Sequence, residues 1–338
     1  MNKVEMSQIE RIPKVELHVH LEGTLGIDRI RSLAQQAGQE PPKPFEELFQ
    51  FSSLAEFLAT LDWMFSLIRT EEQVREIARD FAVYARTQNL IYVEVTVNPS
   101  HWHLSFDTLF LTLQDEFDKA FTKGGPDIRI LPSIARSDSM QSAMELVQWC
   151  IGSQLPRIAG LSIDGDERLG SFNGRFAPAF ALALEHGIPG TAHAGESSSA
   201  SGVTEALSLL GVKRIDHGVR AIERSDLVTR LASQHVTLNI CVSSNCSLLY
   251  PGIDHHPLKL LMESGVPCTL NTDDPAVMGI SLNEELQKVS NYFGFDEAQI
   301  IKFQLTAIDA AFCQNSTQLE LRERLHAGVS PANLAVLQ

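Results

Sequence analysis

The sequence is poor in cysteine and in basic residues, and it has no long hydrophobic run. Five cysteines in 338 residues are too few, and odd in number, for a disulfide framework. The 27 Lys and Arg against 42 Asp and Glu give a formal charge of −15, which argues against a nucleic-acid surface. The opening MNKVEMSQIERI lacks the apolar core of a signal peptide, and no later run reaches membrane-spanning length. We therefore expect a cytoplasmic protein that binds neither membranes nor nucleic acid.

What the sequence does contain is a regular series of short, β-branched runs separated by helical patterns. Strands that alternate with helices form parallel βαβ units, and eight such units make one (β/α)8 TIM barrel of the α/β class. The predicted strands span 14–20, 91–99, 128–136, 157–165, 188–195, 214–218, 236–244 and 266–273. Because no low-complexity linker divides the series, we expect a single domain over 1–338.

One connection, 39–90, is much longer than the others and carries apolar helical segments such as LAEFLATLDWMFSLI. A long connection in a compact domain is usually functional, and connections that follow a strand emerge at the C-terminal end of a barrel. We expect this helical insertion to roof the barrel mouth, with Leu58, Leu61 and Phe65 along one wall of the site. The alternative is that the insertion packs on the outside of the barrel.

The first predicted strand, in KVELHVHLEG, places two histidines on one face. Side chains alternate between the faces of a strand, so His18 and His20 project together. An amphipathic strand with polar residues facing solvent would show the same pattern. The rest of the chain therefore has to distinguish the two interpretations.

Further histidines and carboxylates end other predicted strands. His193 ends the fifth strand and is followed closely by Glu196, His217 ends the sixth, and Asp273 and Asp274 end the eighth. Barrel active sites form where strands end at the C-terminal face. Neutral imidazoles with a carboxylate typically bind a first-row divalent ion, with zinc the leading candidate. The alternative is a set of buried polar residues that hydrogen-bond only to one another.

Several motifs, in this order along the chain, resemble the adenosine/adenine deaminase family of the amidohydrolase superfamily. They are ELHVHLEGTL, GDE, HAGE, RIDHGVRA and LNTDDPA, and together they cover nearly the whole chain. The resemblance implies a (β/α)8 barrel that binds one zinc ion per chain. Its metal ligands fall on His18, His20, His193 and Asp273. The other class of zinc deaminases carries a Pro-Cys-x-x-Cys motif, which this sequence lacks.

The resemblance also implies roles for the residues around the metal. The proton-transfer glutamate falls on Glu196, and the catalytic histidine on His217, which would act with Asp273 on the attacking water. Asp274 matches the carboxylate that meets purine N7, and Gly165 the backbone group that meets N3. Attack of water on C6 places electron density on N1, and a glutamate whose pKa is raised by burial can donate a proton there. A structural alternative for Glu196 is the acidic first turn of a helix.

The substrate is a small-molecule purine in this interpretation, and the motifs disagree about which one. Adenosine deaminases usually carry aspartate at the position of Glu22, in HLEG. Adenine deaminases, and several relatives that act on other adenosine-like compounds, carry glutamate there. Glu22 lies just beyond His20 at the pocket edge, and both residues are expected to contact the substrate. GDE and NTDDP look more like the nucleoside enzymes. We expect adenosine or an adenosine-like nucleoside, with free adenine as the alternative.

Two other function classes remain as alternatives. A metal-dependent amide, lactone or phosphoester hydrolase of the same superfamily would favour a metal-bridging lysine, and no lysine ends a predicted strand. A barrel that binds a purine without turnover would not need Glu196 and His217.

Overall fold

The computed structural model describes residues 4–168 and 174–329, where eight strands follow one another along the chain. Each of them lies within or beside a predicted run. They are β1 (Lys14–His20), β2 (Leu90–Val97), β3 (Asp127–Ala135), β4 (Ser162–Asp164), β5 (Thr191–Ala194), β6 (Arg214–His217), β7 (Thr237–Ile240) and β8 (Cys268–Leu270).

The strands form two parallel four-stranded sheets, β1 to β4 and β5 to β8, each in sequence order. Leu161 joins the sheets at one side, because its N–H donates to Pro189 O (2.8 Å) and its carbonyl accepts from Thr191 N (2.9 Å). At the other side, His20 N donates to Asp273 O (2.8 Å). These hydrogen bonds link β4 to β5 and β8 to β1, so the predicted (β/α)8 barrel is confirmed.

Helices surround the barrel and cover the strands. Within the described residues they are α1 (Met6–Arg11), α2 (Ile27–Ala37), α3 (Leu54–Ser66), α4 (Glu71–Thr87), α5 (Phe106–Thr122), α6 (Met140–Ser153), α7 (Ala177–Glu185), α8 (Ala200–Glu205), α9 (Ser225–Ser233), α10 (Val242–Leu248), α11 (Leu258–Glu263), α12 (Pro275–Met278), α13 (Leu282–Phe293), α14 (Glu297–Ala310) and α15 (Asn315–Gly328). None of these helices combines the length and the apolar character that crossing a membrane requires.

The barrel strands are buried, and they contain a buried ion pair. Parallel strands covered by helices are buried on both faces, and every residue of β2 is buried accordingly. Arg214 Nη2, at the start of β6, lies 2.6 Å from Glu94 Oε2 of β2, and the guanidinium of Arg214 stacks 3.6 Å from the centre of the Phe312 ring. A cavity lies at the C-terminal end of the barrel.

The long connection between β1 and β2 divides into two parts with different positions. α4 begins with a capping box between Thr70 and Gln73 and packs beside α5, where the rings of Phe81 and Phe117 lie 6.1 Å apart. α3 instead lies over the C-terminal end of the barrel, where it supplies one wall of the cavity. Of the 39–90 segment, α3 is therefore the part that could cover a substrate.

Candidate active site

A cavity of about 710 Å³, including its open mouth, lies at the C-terminal ends of the strands. Its polar wall comes from the residues that follow β1, β4, β5, β6 and β8, and its apolar wall comes mainly from α3. The polar residues that line it include His20, Glu22, Asp164, Gly165, His193, Glu196, His217, Asp273 and Asp274. His18 is fully buried beneath them.

Four side chains place neighbouring donor atoms close together at the base of this cavity. His18 Nε2 lies 3.1 Å and His20 Nε2 lies 3.4 Å from Asp273 Oδ1. The Nε2 atoms of His20 and His193 are 3.0 Å apart. Neighbouring donors of a tetrahedral ion with bonds of 2.0–2.1 Å lie about 3.3 Å apart. The spacing therefore fits one divalent metal ion.

The outer nitrogens of two of these imidazoles each face an oxygen atom. His193 Nδ1 lies 3.0 Å from Ile163 O, and since a carbonyl only accepts, Nδ1 carries the proton. His18 Nδ1 lies 3.3 Å from Asp216 Oδ1. The His193 ring therefore directs an unprotonated Nε2 toward the ion position, as metal-binding histidines do, and Asp216 holds the outer nitrogen of His18. His217 also lies within the group, since donor atoms of His18, His193, His217 and Asp273 fall within 4.8 Å of one another.

The charges around the ion position favour a cation. Burial would raise the pKa of Asp273, but the imidazoles of His217 and His18 outweigh burial and hold it well below its ordinary value. Burial would lower the pKa of His18, yet Asp216 and Asp273 raise it well above the ordinary value. Two carboxylates thus hold a proton on His18 in the absence of metal. A divalent ion would displace that proton, because a ligating imidazole is neutral.

Two carboxyl groups in the cavity have a raised pKa, in contrast to Asp273. Burial, with Asp273 and Glu167 nearby, raises the pKa of Glu196 well above its ordinary value. Burial and the same Asp273 likewise raise the pKa of Asp274. Both groups therefore keep a proton to higher pH than ordinary carboxyl groups do, which suits proton donors. Glu196 Oε1 lies 3.6 Å from His217 Nε2, on the cavity side of the metal group.

A carboxylate that the sequence analysis did not single out fixes the loop of Glu196. Glu167 Oε1 accepts from the backbone N–H of Glu196 (2.7 Å) and Ser197 (2.9 Å), and Oε2 accepts from Gly195 N–H (2.8 Å). The Ser198 hydroxyl donates to the same Oε2. Gly195 adopts a φ of +69°, which glycine tolerates without strain. Glu167 thereby orients the turn that carries Glu196.

Glu22 and Asp164 form a second acidic pair at the edge of the cavity. Glu22 Oε1 accepts from Trp102 Nε1 (2.7 Å) and Asn98 N (3.0 Å), and Asn98 Nδ2 donates to Asp164 Oδ1 (2.6 Å). Glu22 Oε2 is buried and has no hydrogen-bond partner among the described residues. Burial raises the pKa of Glu22 to about 7. One oxygen of Glu22 thus holds its position, and the other is left for a ligand.

All nine residues that the sequence analysis assigned to the site lie in this one region, although their individual roles stay predictions. The analysis missed Asp164, Glu167, Asp216 and Asn245. The first three lie at or just beyond the carboxyl end of a strand, and this position could have indicated them. The ring of His101, in the connection after β2, also lines the cavity and stacks on Phe65 at 4.6 Å between centroids.

Comparisons with known proteins agree with this geometry. The family model described as adenosine deaminase matches residues 13–328. The adenine deaminase of Rhizobium leguminosarum bv. trifolii is 33% identical over 319 residues, which are 93% of this chain and 99% of the relative. The adenine deaminase of Vibrio parahaemolyticus is 30% identical over 332 residues, which are 95% of this chain and 97% of the relative.

Solved structures show the same fold. The adenine deaminase from Arthrobacter aurescens has a TM-score of 0.87 at 27% identity, covering 94% of this chain and 98% of that one. A zinc-bound amidohydrolase from Burkholderia ambifaria has a TM-score of 0.87 at 25% identity, covering 96% of this chain and 93% of that one. The chain therefore belongs to the adenosine deaminase family of the amidohydrolase superfamily and is a hydrolytic deaminase.

Proposed function

We propose that this protein is a zinc-dependent adenine deaminase, which converts the free base and water into the 6-oxopurine and ammonia. The observation that carries the choice of substrate is the buried, unpartnered Oε2 of Glu22. The adenine deaminases among the relatives support the same choice. The sequence motifs had favoured adenosine, with adenine as the alternative, and these two findings reverse that order.

In the proposed arrangement, Glu22 lies beside the N9 edge of the purine ring. In the same arrangement Asp274 meets N7 and Gly165 meets N3, and N9 lies between these two nitrogens on the ring perimeter. A Cβ on Gly23 would come within 1.9 Å of Asp274 Oδ1, so the Glu22 segment runs directly against Asp274. Asp164 directly precedes Gly165. Glu22 and Asp164 therefore flank the N9 edge.

The chemistry at N9 distinguishes the two substrates. Free adenine carries a hydrogen on the imidazole ring, and a carboxylate oxygen at this edge can accept it. In a nucleoside, N9 bonds to ribose and has no hydrogen to donate. A buried acceptor that stays unpaired costs about 1–3 kcal/mol, so the unpartnered Glu22 oxygen favours the ligand that has the hydrogen.

We propose His18, His20, His193 and Asp273 as the ligands of the metal ion, and zinc as the metal. The support is the 3.0–3.4 Å separation of neighbouring donor atoms in this set and the unprotonated Nε2 of His193. When bound, zinc lowers the pKa of a coordinated water to about 7 and so supplies a nucleophile at neutral pH.

The side chains of the chain supply and remove the protons. As the water oxygen bonds to C6, Glu196 donates its proton to N1, and Asp273 accepts a proton from the water. The proton on Asp273 then passes to the amino nitrogen, and the C6–N bond breaks to release ammonia. The remaining hydroxyl proton returns to Glu196 as the C6 carbonyl forms. Asp274, protonated, donates to N7 throughout.

We also propose that residues 1–338 act as a single domain in which α3 covers the purine. Phe57, Leu58, Leu61 and Phe65 face the cavity from α3, opposite the polar residues of the barrel. An apolar cover excludes water from a site whose proton donors depend on burial.

Steady-state kinetics of ammonia release test the substrate assignment. The protein should show a kcat/KM for adenine at least about 100-fold above that for adenosine or 2′-deoxyadenosine. Glu22→Gln replaces the free acceptor by an NH2 group and should lower kcat/KM for adenine about 10- to 100-fold. Glu40→Gln, at an exposed position, is the matched control. A higher kcat/KM for adenosine would overturn the proposal in favour of a nucleoside.

A 6-aminopurine nucleoside is the second candidate. GDE (165–167) and NTDDP (271–275) resemble the nucleoside enzymes, and ribose hydroxyls could also donate to Glu22 Oε2. Under that assignment Glu22→Gln would weaken turnover of adenosine and leave adenine unaffected, so the same pair of variants separates the two candidates.

A further inference from the structure

The first turn of α10 touches the candidate metal group at two points. Ser244 Oγ donates to Asp273 Oδ2 (2.7 Å), and Asn245 Nδ2 lies 3.1 Å from His217 Nδ1. Ser243 N–H donates to Glu285 Oε1 (2.9 Å), which ties the same turn to α13. Ser244, Asn245 and His217 are all buried. No metal-binding or proton-transfer role assigned so far involves this turn.

The hydrogen bonds of His256 fix the position of its own proton. The backbone N–H of Leu258 donates to His256 Nδ1 at 3.1 Å. A ring nitrogen that accepts a hydrogen bond carries no proton, so the proton of His256 is on Nε2. His256 Nε2 lies 3.2 Å from Asn245 Oδ1, and an N–H therefore meets an oxygen.

The hydrogen bonds of Asn245 likewise fix the position of the proton on His217. Because the amide oxygen of Asn245 accepts from His256, its NH2 group is the one that faces His217 Nδ1. An amide NH2 can only donate, so His217 Nδ1 accepts and is unprotonated. The proton of the His217 ring is therefore on Nε2. This nitrogen faces the cavity, 3.6 Å from Glu196 Oε1 and 3.9 Å from Asp273 Oδ2.

We propose that His256 and Asn245 are positioning residues that hold His217 as the tautomer with its proton on Nε2. This proposal rests on the proposed function for its catalytic meaning. A ring that presents an N–H to the cavity cannot bind the metal through that nitrogen, nor can it take a proton from the attacking water. His217 is then a hydrogen-bond donor, and it leaves the ligand positions to His18, His20 and His193.

The donor role suits the reaction. The water oxygen gains hydroxide character as its proton leaves for Asp273, and a fixed N–H directed at that oxygen stabilises this charge and orients the oxygen toward C6. Asp273 is then left as the base, with Ser244 holding its other oxygen. The backbone at His217 adopts a φ of +63°, which is unfavourable for a residue other than glycine. The buried chain from Leu258 to Asn245 holds the ring in this orientation.

Nitrogen-15 NMR of the histidine rings tests the proposal directly. In full-length, metal-loaded protein labelled with ¹⁵N-histidine, correlations between ring nitrogens and carbon-bound ring protons report which nitrogen is protonated. The His217 signal is identified by its loss in His217→Asn. The expected spectrum shows protonated Nε2 and unprotonated Nδ1 for His217. A proton on Nδ1, or a metal-bound Nε2, would overturn the proposal.

Asn245→Asp is the decisive variant, because it keeps the shape of the side chain and replaces the donor by an acceptor. Aspartate can still accept from His256, and it would accept from His217, so Nδ1 of His217 should become protonated. With metal content unchanged, kcat should fall about 100-fold. His255→Asn is the control, since the neighbouring His255 side chain is 57% exposed. It should leave both the His217 spectrum and kcat as in the wild type.

The readouts separate this proposal from the proposed function. The protonation of His217 is measured without substrate, so it can be confirmed even if adenine is not the substrate. Conversely, if Asn245→Asp turned over adenine with an unchanged kcat and an unchanged His217 spectrum, the positioning of His217 by His256 and Asn245 would be refuted. The deaminase assignment would remain intact.

Discussion

Glu167→Gln tests how the loop that carries Glu196 is held in place. One carboxylate accepts three backbone N–H groups, at 2.7, 2.8 and 2.9 Å, and the Ser198 hydroxyl. Glutamine has nearly the same shape, but its NH2 group must face at least one of those N–H donors in either orientation. At least one charge-assisted hydrogen bond is therefore lost, at about 1.5–3 kcal/mol.

This loss should appear in turnover more than in substrate binding. If the loop must be ordered for Glu196 to reach N1, 1.5–3 kcal/mol corresponds to a fall in kcat of about 10- to 150-fold, with a smaller change in KM. The assay is ammonia release from adenine, with urea unfolding of the same samples. Glu185→Gln, at an exposed position of α7, is the matched control. A lower unfolding free energy with unchanged kcat would refute the reasoning, because Glu167 would then stabilise the fold alone.

Four further outcomes follow from the site. His193→Ala should lose both metal, measured by elemental analysis, and activity, and an active metal-free variant would contradict the ligand assignment. Glu196→Gln should retain metal while kcat falls about 10²–10⁴-fold, and near-normal turnover would exclude proton transfer by this residue. Phe65→Ala should raise KM for adenine, and a change confined to stability would place α3 outside the substrate site. Burial lowers the pKa of His256 to about 3, so the unfolded state binds more protons below pH 6.5. The free energy of unfolding should therefore fall as pH drops from 6.5, by up to about 1.4 kcal/mol per pH unit, and this slope should weaken in His256→Asn. The free energy of unfolding is measured by urea unfolding at each pH. If it changed with pH equally in the variant and the wild type, that lowered pKa would be refuted.

The strands, and the clustering of His18, His193 and Asp273 at their ends, could be predicted from sequence because these patterns are local. β-branched runs fix the strands, and the C-terminal ends of neighbouring strands in a barrel meet at one face. The sequence predicted β1 to the residue. The fourth strand is shorter than the predicted 157–165, because Ile158 and Leu161 form only isolated bridges on either side of Gly160. A Cβ at Gly160 would lie 2.5 Å from the Phe312 ring, so a distant aromatic side chain shapes this interruption.

The residues that hold the site in position could not be found in this way. Asn245 lies 28 residues from His217, and the backbone N–H groups of Glu196 and Ser197 lie 29 and 30 residues from Glu167. Hydrogen bonds of this kind depend on side-chain orientations across different strands and leave no periodic pattern in the sequence. The contact of His256 with Asn245 likewise depends on how the segment before α11 packs against α10.

Metal titration of turnover tests the central claim most directly. The protein would be stripped with a chelator and titrated with zinc while ammonia release from adenine is followed. If His18, His20, His193 and Asp273 bind one catalytic ion, activity should rise linearly and reach its plateau at one equivalent of zinc per chain. Full activity in the stripped protein, or a plateau only at two equivalents, would contradict the account.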